Sequence, residues 1–512
     1  MQTDVLVVGA GPTGLSLARQ LARFGVDFLI VDKREGTTPH SKAIGVQART
    51  LEIYDQIGIA DRVIAEGWIA DKVRLIGGGE VRGQIDLRDI GSGMSRYPFL
   101  LILEQGVHER IVYEDLKAVG RDVRWLTEMT GFESDDNGVT ASTVSNGRHE
   151  TINARYLVGA DGAHSPVRHA VGLKFEGSTF ERLFYVADVD IDWDFQHDAL
   201  HVNLGENTLT AFFPMKGSDR RWRIVGTFPE GHDKDEGDIL FDEIERQVAQ
   251  DTSLKFDITN VNWFSVYKVH SRAVERFSSG RCFLAGDAAH IHTPAGAQGM
   301  NTGIQDGYNL AWKLAQVIKH GAAPAILDTY NEERLPNARR LLNTTDRFFD
   351  FAASDEWLVS FLRKNVFPYV ANFALSFDSV RHVVFPLVSQ IGINYEKSSL
   401  SVTRGGFDVT AGDRMPWFEI EGQSVYDSLR EPVFHLLIFS DGSVEIPPLP
   451  DRLGKDWHGR IDFNYFELND DVRDRFGTGE PFFVILRPDN YIGMISDEFD
   501  PEVVESYLQK FS

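Results

Sequence analysis

The sequence predicts an α/β fold in which a parallel sheet is interrupted by an antiparallel one. Three observations carry this. Three apolar runs each end in a short glycine- or aspartate-centred turn: 5–8 before Gly9-Ala10-Gly11-Pro12-Thr13-Gly14, 156–160 before Asp161-Gly162, and 282–285 before Gly286-Asp287. The stretch after each turn takes helical spacing, the strand–turn–helix grammar of a parallel sheet. Between the second and third turns, residues 171–275 instead show the two-residue alternation of antiparallel strands, as in Tyr185-Val186-Ala187-Asp188-Val189-Asp190-Ile191 and Trp222-Arg223-Ile224-Val225-Gly226-Thr227-Phe228.

The first turn matches a dinucleotide fingerprint. Gly9 permits the tight turn, Gly11 lets the backbone approach a diphosphate, and Gly14 lets helix and strand pack closely. The helix pattern that follows, Leu15, Leu17, Ala18, Leu21 and Ala22, would place its N-terminus against the phosphates. A second apolar run, 28–31, ends in Asp32, about 20 residues on, where a carboxylate meets ribose hydroxyls and favours an unphosphorylated ribose.

In the second turn, Asp161 would bond backbone amides and ribose hydroxyls, with Arg168 supplying positive charge nearby. A plain helix cap at a strand exit is the competing reading of that piece. In the third, Asp287 is suited to accept from two hydroxyls of a ribityl chain. The glycine-rich stretch that follows would present free backbone amides of Gly299, Met300 and Asn301 at a helix start, a positive end that stabilises negative charge on a reduced ring.

Composition narrows the class. The chain has 512 residues, enough for several domains. Its 42% hydrophobic and 25% charged residues are ordinary for a globular protein. No apolar stretch approaches a membrane span and no basic leader precedes the first strand, so a cytoplasmic protein is expected. A formal net charge of −24 argues against nucleic acid or an anionic membrane as partner. Cys282 is the single cysteine, which excludes an internal disulfide, a CxxC pair and a multi-thiolate iron–sulfur cluster. No metal site is expected either: His290 and His292 lack further ligands nearby in sequence. Electrons would have to move through an organic cofactor.

The three motifs, in this order and with these neighbours, resemble those of the single-component FAD-dependent aromatic monooxygenases of the p-hydroxybenzoate hydroxylase type, most like phenol and aromatic polyketide hydroxylases. The stretch 281–313 is similar almost residue for residue, although Ala297 stands where many members have glycine. The resemblance implies a Rossmann-like FAD domain of the glutathione reductase type over 1–170 and 276–345. It implies a substrate-binding antiparallel sheet over 171–275, which 76–100 is expected to join. A helical bridge over 346–400 would lead to a thioredoxin-like domain over 401–512, supported by Arg404-Gly405-Gly406, Ala411-Gly412-Asp413-Arg414-Met415-Pro416 and Arg487-Pro488-Asp489-Asn490-Tyr491. Without CxxC that last domain would be structural.

FAD would then be held by Gly9, Gly11, Pro12, Thr13, Gly14, Asp32, Lys33 and Arg34 of the first motif, and by Asp161, Gly162, Gly286, Asp287, Pro294, Gly299, Met300 and Asn301. Arg49 would face its phosphates and Gln105 its ribityl chain. The loop Pro294, Ala295, Gly296 would pack against the flavin's reactive edge, and Tyr185, Phe212, Phe213 and Trp222 are candidates to line the substrate pocket, with core packing the competing reading of each. NADPH or NADH would dock transiently, since no second fingerprint is present. Dioxygen would react through a C4a-hydroperoxyflavin to hydroxylate a small, electron-rich aromatic substrate, phenolic or polyketide-like. Phenol-specific members place a carboxylate in the segment corresponding to Lys42-Ala43-Ile44-Gly45, and Ile44 does not offer one, so the base is open, with Tyr185, His40, His292 and Tyr267 as candidates. The loop 36–41 is where gating of a mobile flavin is expected. A monomer or homodimer is expected. Baeyer–Villiger insertion, antibiotic modification, and a flavin-binding reductase or regulator remain the alternatives; a halogenase is disfavoured by the lack of WxWxIP.

Overall fold

The computed structural model describes residues 1–39, 43–205, 208–229, 231–232, 234–293, 297–353, 377–444 and 457–511. Its centre is a sheet in which Cys282–Leu284, Arg148–Gly159, Gln2–Val8, Phe28–Val31 and Val123–Arg124 lie side by side and parallel. Phe28–Val31 and Cys282–Leu284 are apolar throughout and Gln2–Val8 is so from Val5 on, as expected where both faces are covered. Val139–Ser145 and Thr127–Ser134 extend the sheet antiparallel from the first half of Arg148–Gly159.

The helix Pro12–Arg23 starts with proline at its first turn, where the missing N–H costs nothing. The long helix Gly299–His320 crosses it at glycine contacts: a Cβ on Gly307 would lie 3.0 Å from Leu17 Cβ.

A second eight-stranded sheet runs in the order His290–Ile291, Asp257–Val274, Phe175–Asp192, Arg221–Thr227, Leu209–Pro214, Leu200–Leu204, Lys72–Gly77 and Glu80–Asp86. Its pairings are antiparallel except that Lys72–Gly77 meets Leu200–Leu204 in parallel. So 72–86 enters this sheet, whereas Leu100–Ile102 pairs with Gly45–Val46 and Trp68–Ala70 in a small sheet of its own. Alternation along the strands sorts two faces. One carries Tyr185, Ala187, Val189, Phe212, Trp222 and Ile224, packed with Ile244 and Val248 of the helix Phe241–Thr252. The other carries Phe184, Asp188, Phe213, Arg223 and Tyr267.

The helix Asp328–Ala353 runs across position 346, where a boundary was expected, and Asp378–Ser389 forms a further helix. In between, 354–376 lies outside the described residues. A five-stranded C-terminal sheet has the order Val402–Arg404, Ile492–Ser496, Phe482–Leu486, Phe434–Ser440, Ile461–Glu467. Phe434–Ser440 and Ile461–Glu467 are parallel, and the next two strands are antiparallel. One face of Phe434–Ser440 (Phe434, Leu436, Ile438) joins the core of the parallel sheet, and the other (Leu437, Phe439) packs in a separate cluster.

Polar contacts seal this junction. Arg487 donates to both oxygens of Glu333, at 2.7 and 3.0 Å, and to both of Asp489, at 3.0 and 2.6 Å. Lys313 Nζ meets Glu333 at 2.8 Å and Trp312 Nε1 donates to Asp489 at 3.0 Å. All five side chains are buried.

Candidate functional site

Four adjacent parallel strands deliver their C-terminal ends to one edge. Val8 is in register with Gly159 and with Val31, and Gly159 with Leu284. The turns that begin at Gly9, Asp32, Asp161 and Gly286 therefore open together, the place where open α/β sheets bind ligands. Nearly 280 residues separate the first turn from the last in sequence; the sheet brings them side by side.

The glycines decide how closely these turns approach. Gly9 sits at φ +102°, and a Cβ there would lie 2.3 Å from the Ala160 carbonyl oxygen. Thr13 is pressed under two more: Cβ atoms on Gly286 and Gly303 would come within 2.4 and 2.3 Å of its Oγ1. Gly11 and Gly162, by contrast, face open space. The result is a cradle with a close-packed floor and two bare backbone faces, which fits an extended diphosphate.

The carboxylates fit the ribose and ribityl ends. Asp32 Oδ2 accepts from Ala10 N at 2.7 Å, and Oδ1 from Arg34 N at 2.8 Å. Burial opposes ionisation of Asp32, but the Arg34 guanidinium and these amides outweigh it and hold its pKa below the usual carboxylate range. Asp161 differs. Oδ2 accepts from Val167 N at 3.1 Å, Oδ1 is shielded without a partner, and burial raises its pKa against the opposing bonds from Ser165 and Val167. An orphaned acceptor here suits a ligand hydroxyl. Asp287 is exposed between buried Gly286 and Ala288, in the third turn. The residues present thus fit FAD.

At the start of Gly299–His320 the Asn301 side chain is fully occupied. Its Nδ2 donates to the carbonyls of Gly45 and Ala297, both at 2.9 Å, and its Oδ1 accepts from Gln47 N and Thr50 Oγ1. Asn301 therefore clamps the strand Gly45–Val46 onto the helix and offers a ligand only its backbone. Ala297, just before, is held at φ +52°, which explains glycine's suitability at this position. Lys33 lies exposed beyond Asp32. Gln105 binds the chain itself, accepting from Ala43 N at 3.2 Å and donating to Glu109 at 2.9 Å. Pro294, Ala295 and Gly296 lie outside the described residues, as do His40 and Ser41.

Packing bears on two further expectations. Arg49 is 1% exposed; it donates to Glu52 at 3.1 Å and to the Asp489 carbonyl at 2.9 Å, with its guanidinium over the Tyr491 ring. These bonds join the C-terminal sheet to the parallel sheet, because a buried guanidinium takes the carboxylate and carbonyl within reach, while its Nε is buried without a partner among the described residues. Tyr185, Phe212 and Trp222 lie on the sheet face beneath Phe241–Thr252, turned away from the parallel sheet, and only Phe213 is on the facing side. Alternation in sequence identifies two faces but not which one looks inward.

On the facing side, Phe213 joins Ile44, Ala70, Ile102, Leu200 and Met215 in an apolar cluster between the second sheet and the small one. Beside it Arg223, fully buried, forms a two-pronged pair with Asp188 at 2.6 and 2.7 Å and donates to the Ala43 carbonyl at 3.3 Å. Tyr267 stacks on Phe184 with centroids 6.1 Å apart. Sequence reasoning missed Asp188 and Arg223; opposite charges at facing positions of two alternating strands were the available signal.

Burial shifts each of the described candidate bases. Burial raises the Tyr185 phenol well above its usual range, and pushes Tyr267 up to about 12. Burial lowers His292 to about 4, so it stays neutral, with Nδ1 donating to the Thr293 carbonyl at 2.7 Å. Cys282 is buried in its strand and pushed up to about 11 by desolvation, an inert thiol. Among the described residues no cluster could hold a metal, and no helix is long and apolar enough to cross a membrane.

Comparison with known proteins agrees with this geometry. The family model described as "FAD binding domain" matches residues 2–345. The chain is 33% identical over 520 residues to 6-methylpretetramide 4-monooxygenase of Streptomyces rimosus, covering 96% of this chain and 90% of that protein. It is 35% identical over 349 residues to pentachlorophenol 4-monooxygenase of Sphingobium chlorophenolicum, covering 67% of this chain and 63% of that one. Among solved structures, OxyS anhydrotetracycline hydroxylase from Streptomyces rimosus superposes with a TM-score of 0.77 at 26% identity, covering 100% of this chain and 99% of that chain.

Proposed function

The chain belongs to the FAD-binding-domain family of flavin-dependent aromatic monooxygenases, and on that premise we propose that it hydroxylates a fused-ring, polyketide-like phenol with NADPH or NADH as electron donor. The observation that carries this is the convergence of the turns at Gly9, Asp32, Asp161 and Gly286 on one sheet edge, together with an apolar wall of Ile44, Leu200, Met215 and Phe213 next to Gly45, which Asn301 ties to the helix Gly299–His320. The wall suits a flat, weakly polar ring system, and Ile44 in place of a carboxylate suits a substrate acidic enough to need no strong base. Names of relatives that act on tetracycline-type scaffolds, along most of their length, support the fused-ring choice over a single-ring phenol.

In this reading the diphosphate lies over Gly11 at the start of Pro12–Arg23, Asp32 binds the ribose, and Asp161 and Asp287 bind ribityl or ribose hydroxyls. Backbone amides of Gly299, Met300 and Asn301 face the ring. When bound, FAD supplies reduction by the nicotinamide and oxygen transfer from dioxygen. The chain's own part is to hold that ring at a positive helix end and to present the substrate from the second sheet. Asp188 orients Arg223, which in turn donates to the Ala43 carbonyl and holds it against the second sheet.

The second sheet is read as a substrate-binding insertion over 171–275 with 72–86. The C-terminal sheet is read as a thioredoxin-like domain, supported by its two parallel strands followed by two antiparallel ones. Its lack of CxxC and its buried ionic junction fit a structural role.

Stopped-flow absorbance tests the function. Protein with FAD is reduced by NADPH or NADH with and without a panel of phenols and polyketides, then mixed with labelled dioxygen. Faster reduction with one compound and label in a ring hydroxyl support the proposal. Label within an expanded lactone ring would move the reaction to insertion. Peroxide alone for every compound would sink it.

A further inference from the structure

Gln298, immediately before the helix Gly299–His320, reaches sideways. Its Nε2 donates to the carbonyls of Leu387 and Val388, at 3.2 Å each. These belong to the last turn of Asp378–Ser389, where carbonyls have no intrahelical donor. A return contact comes from Gln390, the residue that ends that helix. Its Nε2 donates to Thr302 Oγ1 at 2.8 Å and to the Gln298 carbonyl at 3.4 Å, and its Oε1 accepts from Gln305 Nε2 at 2.7 Å. Gln298, Thr302, Gln305 and Gln390 are all buried.

Gln390 sits at φ +63°. Just past a helix this left-handed conformation favours glycine, and an L side chain there is strained. Glutamine occupies the position despite that strain, and both ends of its amide are spent on the neighbouring helix. The helix it ends buries Phe385 over Gly91, where a Cβ would lie 2.3 Å from the ring, and exposes Val383, Leu387 and Val388.

We propose that Gln298 and Gln390 are positioning residues: their amides lock the helix Asp378–Ser389 to the turn 297–302, so the placement of the flavin ring at the start of Gly299–His320 depends on that helix. This rests on the assignment of that helix start to the ring. A movement of Asp378–Ser389 would break the bonds at Leu387, Val388 and Thr302 together, because the turn has no slack on its other side, where Asn301 holds Gly45.

The test is Gln390→Gly in the FAD-loaded enzyme, with Gln390→Ala beside it. Glycine relieves the backbone while removing the amide, so a merely structural cap predicts a Tm equal to or above that of the native protein and native flavin signals. Positioning predicts the same Tm for Gln390→Gly and FAD affinity within about threefold, since the cradle at Gly9 and Gly286 is untouched. It also predicts a shifted visible flavin spectrum, flavin fluorescence raised severalfold, and more peroxide released per nicotinamide oxidised. Native spectrum, fluorescence and coupling in Gln390→Gly would overturn the proposal, as would a loss of Tm in both variants with unchanged flavin signals. If the native enzyme transfers oxygen to no aromatic compound, the monooxygenase assignment fails, and the spectrum and fluorescence still judge the positioning role.

Discussion

Gly303→Ala probes the contact that joins the first and third turns. The added Cβ would lie 2.3 Å from Thr13 Oγ1, 3.1 Å from Gly286 Cα and 3.5 Å from Thr13 Cβ. Overpacking of this kind costs about 1–3 kcal/mol. Alanine's better helix propensity returns about 1 kcal/mol, so the net loss in the protein without FAD should be up to about 2 kcal/mol. The larger effect is expected on FAD, which in the proposed placement would span both turns: forcing Thr13 away from Gly286 should weaken it at least about tenfold, or 1.4 kcal/mol. Thr13→Ala removes Oγ1 and leaves the new methyl at an ordinary distance from the residue 13 Cβ. The double variant Thr13→Ala/Gly303→Ala should therefore recover most of both losses, with a coupling energy of roughly 1–2 kcal/mol. Urea unfolding of the four proteins without FAD and quenching of FAD fluorescence on titration measure the two sides of the cycle. A Gly303→Ala protein that is more stable than the native one and binds FAD equally well would refute the reasoning. So would a double variant that merely adds the single losses.

Asp287→Ala should weaken FAD by about 1.5–3 kcal/mol, the worth of hydrogen bonds to a charged group, and unchanged affinity on fluorescence titration would remove Asp287 from the site. Arg487→Met leaves Glu333 and Asp489 buried together, and should cost about 3–5 kcal/mol in chemical unfolding; a loss below 1 kcal/mol would show that the junction relaxes. His108 and His201 are buried and held neutral, each lowered by desolvation from 6.5 to about 4. The unfolded chain takes up these protons first, so stability present above about pH 6.5 is lost as pH falls toward 4, by up to about 3 kcal/mol for each histidine. A midpoint in urea that stays flat from pH 7 to pH 4.5 would contradict this.

Much of the architecture was legible before any coordinates. The three strand–turn–helix units could be read because each is local: a run of apolar residues, a glycine required by the turn, and an acid at a fixed distance lie within about 30 residues. Alternation marked the second sheet for a similar reason. The helix Phe241–Thr252 inside that region was not anticipated, since its charged face looks like a solvated loop in sequence, and its apolar stripe of Ile244 and Val248 acquires meaning only against Trp222 and Ile224.

The placements that the sequence did not foretell share a cause. Arg49 lies in a stretch that the family resemblance linked to phosphate, yet Asp489, distant by 440 positions, takes its donor. Tyr185, Phe212 and Trp222 were sound choices for a strand in that sheet, but the face they occupy depends on which side the helix Phe241–Thr252 packs. Short-range chemistry, turn, cap and periodicity, is written in neighbouring residues and so belongs to the sequence. Partner choice between distant side chains, such as Gln298 with Leu387 or Asp188 with Arg223, belongs to the fold, because burial makes each polar group bind whatever the folded chain brings within about 3 Å.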